Sequence, residues 1–167
     1  MTREDNFNMN KPVIEEEVSE IIKDMQNGKA PGPDGFNVDF FKACWNIVKQ
    51  DILNVVEDSR RNGTILKALK TSFISLIPKQ DSALTANKFR PISLCNVAYK
   101  IISKVLASKL KPFLPSLISR EQSGYVEGRQ ILNNIILAHK TIHMITNKKQ
   151  ADMIMQLDIS KAYDKVN

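Results

Sequence analysis

A chain of 167 residues with 43% hydrophobic content carries enough apolar side chains for one core, or for one domain with an attached arm. No apolar run of about 18 residues is present. The start, MTREDNFNMN, lacks an apolar leader segment, so the expectation is an intracellular protein with no membrane contact, a nuclear address being left open. The net charge of +6 is unevenly placed: residues 1–58 hold 6 basic and 12 acidic side chains, whereas residues 59–149 hold 16 basic and 3 acidic, net +13, which points either to a polyanionic partner such as nucleic acid or to a merely basic surface.

Along the chain, Pro12 is expected to open a first helix. Val18, Ile21, Ile22 and Met25 recur at helical spacing, Glu15, Glu16 and Glu17 suit the first turn, and Asn27-Gly28 is the stop. KAPGPDGF cannot be helical: Pro31-Gly32 reads as the centre of a type II turn and Asp34-Gly35 as a further turn. A second helix is expected from Val38 to Arg61, with Phe40, Phe41, Cys44, Trp45, Ile47, Val48, Ile52 and Val55 as its apolar face and Asn62-Gly63 as its end. TSFISLIPK reads as a strand halted by Pro78, and the stretch to FRPIS as its antiparallel return. Residues 95–111 read as a helix, Pro112 and Pro115 as breaks, SREQSGYVEGR as a loop, 130–147 as another helix and ADMIMQLDI as a buried strand. The fold class is therefore α+β, mostly helical with a small antiparallel hairpin.

The chemistry gathers at few places. In MIMQLDISKAYD an apolar run meets Asp158, and a carboxylate there is costly unless compensated. At a strand's end it either binds a divalent cation, as two-metal phosphoryl transfer requires, or caps a turn. Asp164, six residues on, reads as a cap or an ion-pair member. If the two strands pair, Lys79 and Arg90 lie on one surface suited to a triphosphate, the guanidinium as a fork and the ammonium as a point charge; otherwise they are ordinary exposed cations. Lys100, Lys104 and Lys111 fall within about 40° of one another on a helical wheel. Ile101, Ile102, Val105, Leu106 and Leu110 take the other side, so the lysines form either a backbone-tracking stripe or a solvated face. His139 and His143 have i, i+4 spacing without a third ligand, which argues for packing or surface placement over zinc. Cys44 and Cys95 read as separate reduced thiols, and Phe40, Phe41 and Trp45 as core.

The stretches KAPGPDGF, SLIPK, FRPISLCNVAYKIISKVLASKL, EQSGYVEGRQ and LDISKAYDKVN occur in one order. Together, from about Val13 onward, they resemble the reverse transcriptase domain of non-LTR retrotransposons of the long-interspersed-element type, especially plant ones. The resemblance implies a right-hand polymerase, with 13–150 as fingers and 151–167 as the start of the palm; residues 1–12, ahead of it, read as a loose arm. It implies synthesis of DNA on an RNA template, by phosphoryl transfer from a dNTP to a primer 3′-hydroxyl. Asp158 matches the first metal aspartate, with the Ile159 carbonyl also facing Mg²⁺, and Tyr163 matches the steric gate under the incoming sugar. Lys79 and Arg90 match the cations that hold the triphosphate. Lys29, Gly32, Asp34 and Gly35, then Gln122, Gly124, Gly128 and Arg129 match template-side segments; Lys100 and Lys104 of the lysine stripe are the expected contacts to the backbone of RNA template, DNA primer or their hybrid. No YxDD-type pair follows Asp158, so the expectation is a truncated fragment that does not polymerise alone. The alternatives are an inactive nucleic-acid-binding module or relic, and a helical interaction protein.

Overall fold

The computed structural model describes residues 3–81, 84–148, 153–155 and 157, and the chain divides into two compact units, Met1–Leu117 and Ile118–Asn167. The first unit holds helices α1 (Arg3–Met9), α2 (Glu15–Asp24), α3 (Val38–Ala43), α4 (Trp45–Asn62) and α5 (Lys67–Lys70). Strands β1 (Ser72–Pro78) and β2 (Phe89–Cys95) follow, then α6 (Val97–Leu110) and, after a 3-10 turn at Lys111–Phe113, α7 (Leu114–Leu117). The second unit holds α8 (Ile131–Lys148). The mostly helical plan with one antiparallel hairpin is the fold class expected from the sequence.

The core of the first unit is built by α6. Its Val97, Ile101, Ile102 and Val105 are buried among Val18 and Ile22 of α2, Val38 and Phe41 of α3, and Ile52 and Val56 of α4. Each such side chain contributes about 1.5–3 kcal/mol by leaving water. Leu106 and Leu110, expected on the same face, are exposed, because the inward stripe is narrower than the run of apolar residues. Trp45 and Phe40 pack against the core while half-buried, and Ile47 is exposed.

Several boundaries differ from the sequence reading for local reasons. Helix α2 begins at Glu15, not at Pro12; the Glu17 carboxylate accepts the Ile14 N–H at 3.2 Å, the half of a capping box that an isoleucine N-cap permits. Its far end is closed by Lys42 of α3, whose ammonium donates to the Lys23 carbonyl (3.0 Å), the Met25 carbonyl (2.7 Å) and Asn27 Oδ1 (2.7 Å). The single helix expected over Val38–Arg61 is two helices, because Cys44 (φ −98, ψ 14) ends α3 while its carbonyl accepts the first amides of α4. Gly63, at φ 63, supplies the left-handed stop after α4 that Asn62-Gly63 promised. α6 ends at Leu110, just before Pro112, as expected; beyond it Pro112 and Pro115 sit in the first turns of two short helices, where a missing N–H is tolerated.

Residues 3–9 form a helix, and the segment after it is tied down by cations from α4 and α6. Arg60 Nη1 donates to the Asn10 carbonyl (3.0 Å), and Lys109 Nζ donates to the Lys11 carbonyl (3.0 Å) beside Glu17 (3.4 Å). Glu57 accepts both Arg60 (2.6 and 2.8 Å) and Arg61 (3.1 Å), together with the Val13 N–H (3.2 Å), which holds its carboxyl down at about 2.

In the second unit α8 follows a loop anchored by the buried Val126. The buried strand expected over 151–159 is not seen in its described part: Met153, Ile154, Met155 and Leu157 are exposed and in no regular element. A continuous apolar run makes a buried strand only where neighbouring strands accept its amides.

Candidate nucleic-acid interface

The hairpin positions the two expected triphosphate cations. In the antiparallel register Ile77 faces Arg90 and Pro78 faces Phe89, and the Lys79 N–H continues the ladder to the Lys88 carbonyl at 2.8 Å. Side chains alternate along a strand, so Lys79, two residues beyond Ile77, stands on the face that carries Arg90 and Lys88. The Lys79 ammonium donates to the Asn87 carbonyl (2.9 Å), which ties it to the loop that joins the two strands and leaves it two further donors. Arg90 is exposed.

Nearby sequence carries more positive charge than its carboxylates can answer. None of Lys67, Lys70, Lys79, Lys88, Arg90, Lys100 and Lys104 forms an ion pair among the described residues. Lys104 is exposed on α6, Lys100 half-buried, and Lys111 lies past the helix end in the 3-10 turn. These seven cations are answered by no carboxylate among the described residues, whereas Arg60 and Lys109, which line a 390 Å³ cavity against α1, are engaged by Glu57, Glu17 and main-chain carbonyls.

The PGPDG turn is built differently from the sequence expectation. The hydrogen bond runs from the Gly35 N–H to the Gly32 carbonyl (3.0 Å), so Pro33-Asp34 is the turn centre, not Pro31-Gly32. Gly35 has φ 79, but Gly32 has no positive φ. Gly32 is needed for closeness: a Cβ there would lie 2.3 Å from Asn96 Oδ1, 2.4 Å from its amide nitrogen and 2.6 Å from the Cys95 carbonyl carbon. Asn96, only 3% exposed, accepts the Asp34 N–H (3.2 Å) and donates to the Ala68 carbonyl (3.1 Å). One buried amide thus fastens the turn and α5 to the junction of β2 and α6. Asp34 Oδ1 accepts the Phe36 N–H (3.1 Å), and Lys29 is exposed beside the turn. Asn96 precedes α6, but its side chain makes no cap bond, and its use depends on residues 28 and 62 positions away, which no local sequence signal marks.

In the second unit Arg129 shapes the loop before α8. Its guanidinium donates to the carbonyls of Ile118 (3.0 Å), Ser119 and Gln122 (2.7 Å). Asn134 donates to the Glu121 carbonyl (3.0 Å) and Ser123 Oγ (2.8 Å). The Glu121 carboxyl is held below its ordinary range by its own backbone N–H and by Ser119. Gln122 and Gly128, the latter at φ 76, are exposed, and Gly124 is half-buried. His139 and His143 are exposed on α8, and among the described residues no group of three or more His, Cys, Asp or Glu side chains gathers as a metal site. Cys44 and Cys95 are free thiols. Asp158, Ile159, Tyr163 and Asp164 lie outside the described residues.

The family described as reverse transcriptase (RNA-dependent DNA polymerase) matches residues 77–167, more than half of the chain. The chain belongs to the reverse transcriptase family. The match opens at the end of β1 and takes in the hairpin, α6 and the second unit. Among similar proteins, the transposon TX1 uncharacterized 149 kDa protein of Xenopus laevis is 30% identical over 156 residues, 93% of this chain and 12% of its own length. The retrovirus-related Pol polyproteins of the type-1 retrotransposable element R2 from Nasonia vitripennis and Popillia japonica are 24% and 25% identical, over 95% and 94% of this chain and 15% and 21% of their own lengths. This reverse transcriptase segment thus spans about an eighth to a fifth of the relatives it matches, and the retrotransposon kinship read from its motifs agrees with them.

Proposed function

We propose that the chain supplies the fingers, and the first metal carboxylate, of a retrotransposon enzyme that copies RNA into DNA. Residues 13–150 form the fingers in this reading, 1–12 an arm and 151–167 the start of the palm; the plant-type affinity rests on the motifs alone. The observation that carries it is the shared hairpin face of Lys79 and Arg90, inside the stretch that matches the reverse transcriptase family. Lys79 and Arg90 hold the incoming dNTP's triphosphate, and Tyr163 packs under its sugar. Asp158 and the Ile159 carbonyl are oxygen ligands of the kind Mg²⁺ prefers. Lys100 and Lys104 contact template phosphates. Lys29, Gly32, Asp34 and Gly35, and Gln122, Gly124, Gly128 and Arg129, act through the shapes of their loops, Asp34 and Arg129 as braces. Primer and template form the hybrid partner, and a nuclear site of action follows from that role.

The test is RNA binding by the chain across a salt series. Log affinity falls linearly with log salt, each neutralised phosphate adding about 0.7–0.9 to the slope, and Lys100→Ala and Lys104→Ala each lower the slope by about that amount. Salt-independent binding, or none, overturns the reading. For Asp158 the assay is primer extension by a protein in which this segment continues into further palm carboxylates: Asp158→Asn abolishes incorporation and spares RNA binding, and extension by that variant removes Asp158 from the site.

A further inference from the structure

The loop before α8 holds a residue whose conformation its own packing does not explain. Tyr125 sits at φ 62, and among the described residues it is the one non-glycine side chain in the left-handed region. That region brings Cβ against the carbonyl oxygen, and glycine or asparagine would occupy it at lower cost. The strained residue gains nothing by burial, for its relative exposure is 104%, a whole aromatic ring in water.

The segment around it is built. Val126, the next residue, is buried to 4%. Arg129 gathers the carbonyls of Ile118, Ser119 and Gln122 on one side, and the Arg129 N–H returns to the Val126 carbonyl at 3.2 Å. Asn134 fastens Glu121 and Ser123 from the first turns of α8. The brace fixes the backbone on both sides of Tyr125, so the ring projects from a held support and loses little freedom when something covers it. Strain kept at a braced, outward-pointing residue marks a functional position more often than a structural one.

We propose that Tyr125 is a base-stacking platform for single-stranded RNA. The inference rests on the template-binding reading above and adds to it a residue that takes a nucleobase by its π-face. A template strand offers unpaired bases, and one rigid aromatic is enough to stack one base, whereas a stable protein contact needs a much larger buried patch.

The experiment measures binding of the intact 167-residue chain to a short unstructured RNA oligonucleotide, and to the same oligomer with abasic positions. Tyr125→Phe keeps the affinity of the parent. Tyr125→Gly and Tyr125→Ala weaken binding roughly 5- to 150-fold, the loss of one stacked base. The salt slope is unchanged, because no phosphate contact is lost. The abasic oligomer binds parent and variants alike. Tyr125→Gly also relieves the backbone, so its urea midpoint is no lower than the parent's, which separates lost stacking from lost folding. If the parent binds RNA and Tyr125→Gly binds equally well, the stacking role is overturned while the template-binding reading stands. An equal loss on the abasic oligomer overturns it too, as does self-association broken by Tyr125→Gly with RNA affinity intact. A parent chain that binds no RNA overturns both readings.

Discussion

Gly32→Ala probes the contact that joins the PGPDG turn to the start of α6. The new Cβ would meet Asn96 Oδ1 at 2.3 Å, Asn96 N at 2.4 Å and the Cys95 carbonyl carbon at 2.6 Å. Two of the three are main-chain atoms, at the end of β2 and entering α6, so no side-chain rotation clears them. Restoring ordinary contact takes a shift of about 1 Å. The Asp34 N–H to Asn96 Oδ1 bond, already 3.2 Å, does not survive that shift. Overpacking costs about 1–3 kcal/mol, and the lost bond to a buried acceptor adds about 1. The expected destabilisation is thus about 2–4 kcal/mol, or roughly 5–15 °C in Tm for a chain of this size. Urea unfolding followed by far-UV circular dichroism reads it as a lower midpoint at unchanged slope. Asn96→Ala, combined with Gly32→Ala, restores little, because the amide nitrogen and the Cys95 carbonyl carbon remain in place. A Gly32→Ala chain as stable as the parent, or a full rescue by Asn96→Ala, would falsify the account of a main-chain contact.

Glu57, with its carboxyl lowered from 4.5 to about 2 chiefly by Arg60, stabilises the fold above pH 4.5, and that stability is lost as pH falls toward 2. The full shift is worth about 3 kcal/mol, cut to about 1–2 by solvent around a partly exposed pair. Urea midpoints across that window fall for the parent and stay flatter for Glu57→Gln; parallel curves contradict the assignment. Lys42→Met removes the ammonium that closes α2 through three acceptors. It costs about 1–2 kcal/mol by the same unfolding measurement, and a neutral outcome would mean that water serves those carbonyls equally well.

Local pattern alone determined much of this protein. The 3.6-residue recurrence in VAYKIISKVLASKL gives α6, Asn62-Gly63 gives the end of α4, and the two apolar runs SFISLIP and FRPISLC, joined by a loop, give the hairpin, because each depends on residues near one another in sequence. The ordered motifs from SLIPK to LDISKAYD placed the chain with the reverse transcriptases, and the family match over residues 77–167 agrees. What stayed hidden depends on distant partners. The apolar pattern runs unbroken across Cys44, so nothing local announces the break between α3 and α4. Gly32 looked like a turn former and is a site of close approach, a fact fixed by Asn96 sixty-four positions later. Arg129 stood in the sequence only as part of a template-side loop, and its guanidinium holds the carbonyls of that loop. Only the tertiary structure could decide these, because a side chain's role is set by which donors and acceptors come within about 3 Å of it, and folding draws those from anywhere in the chain.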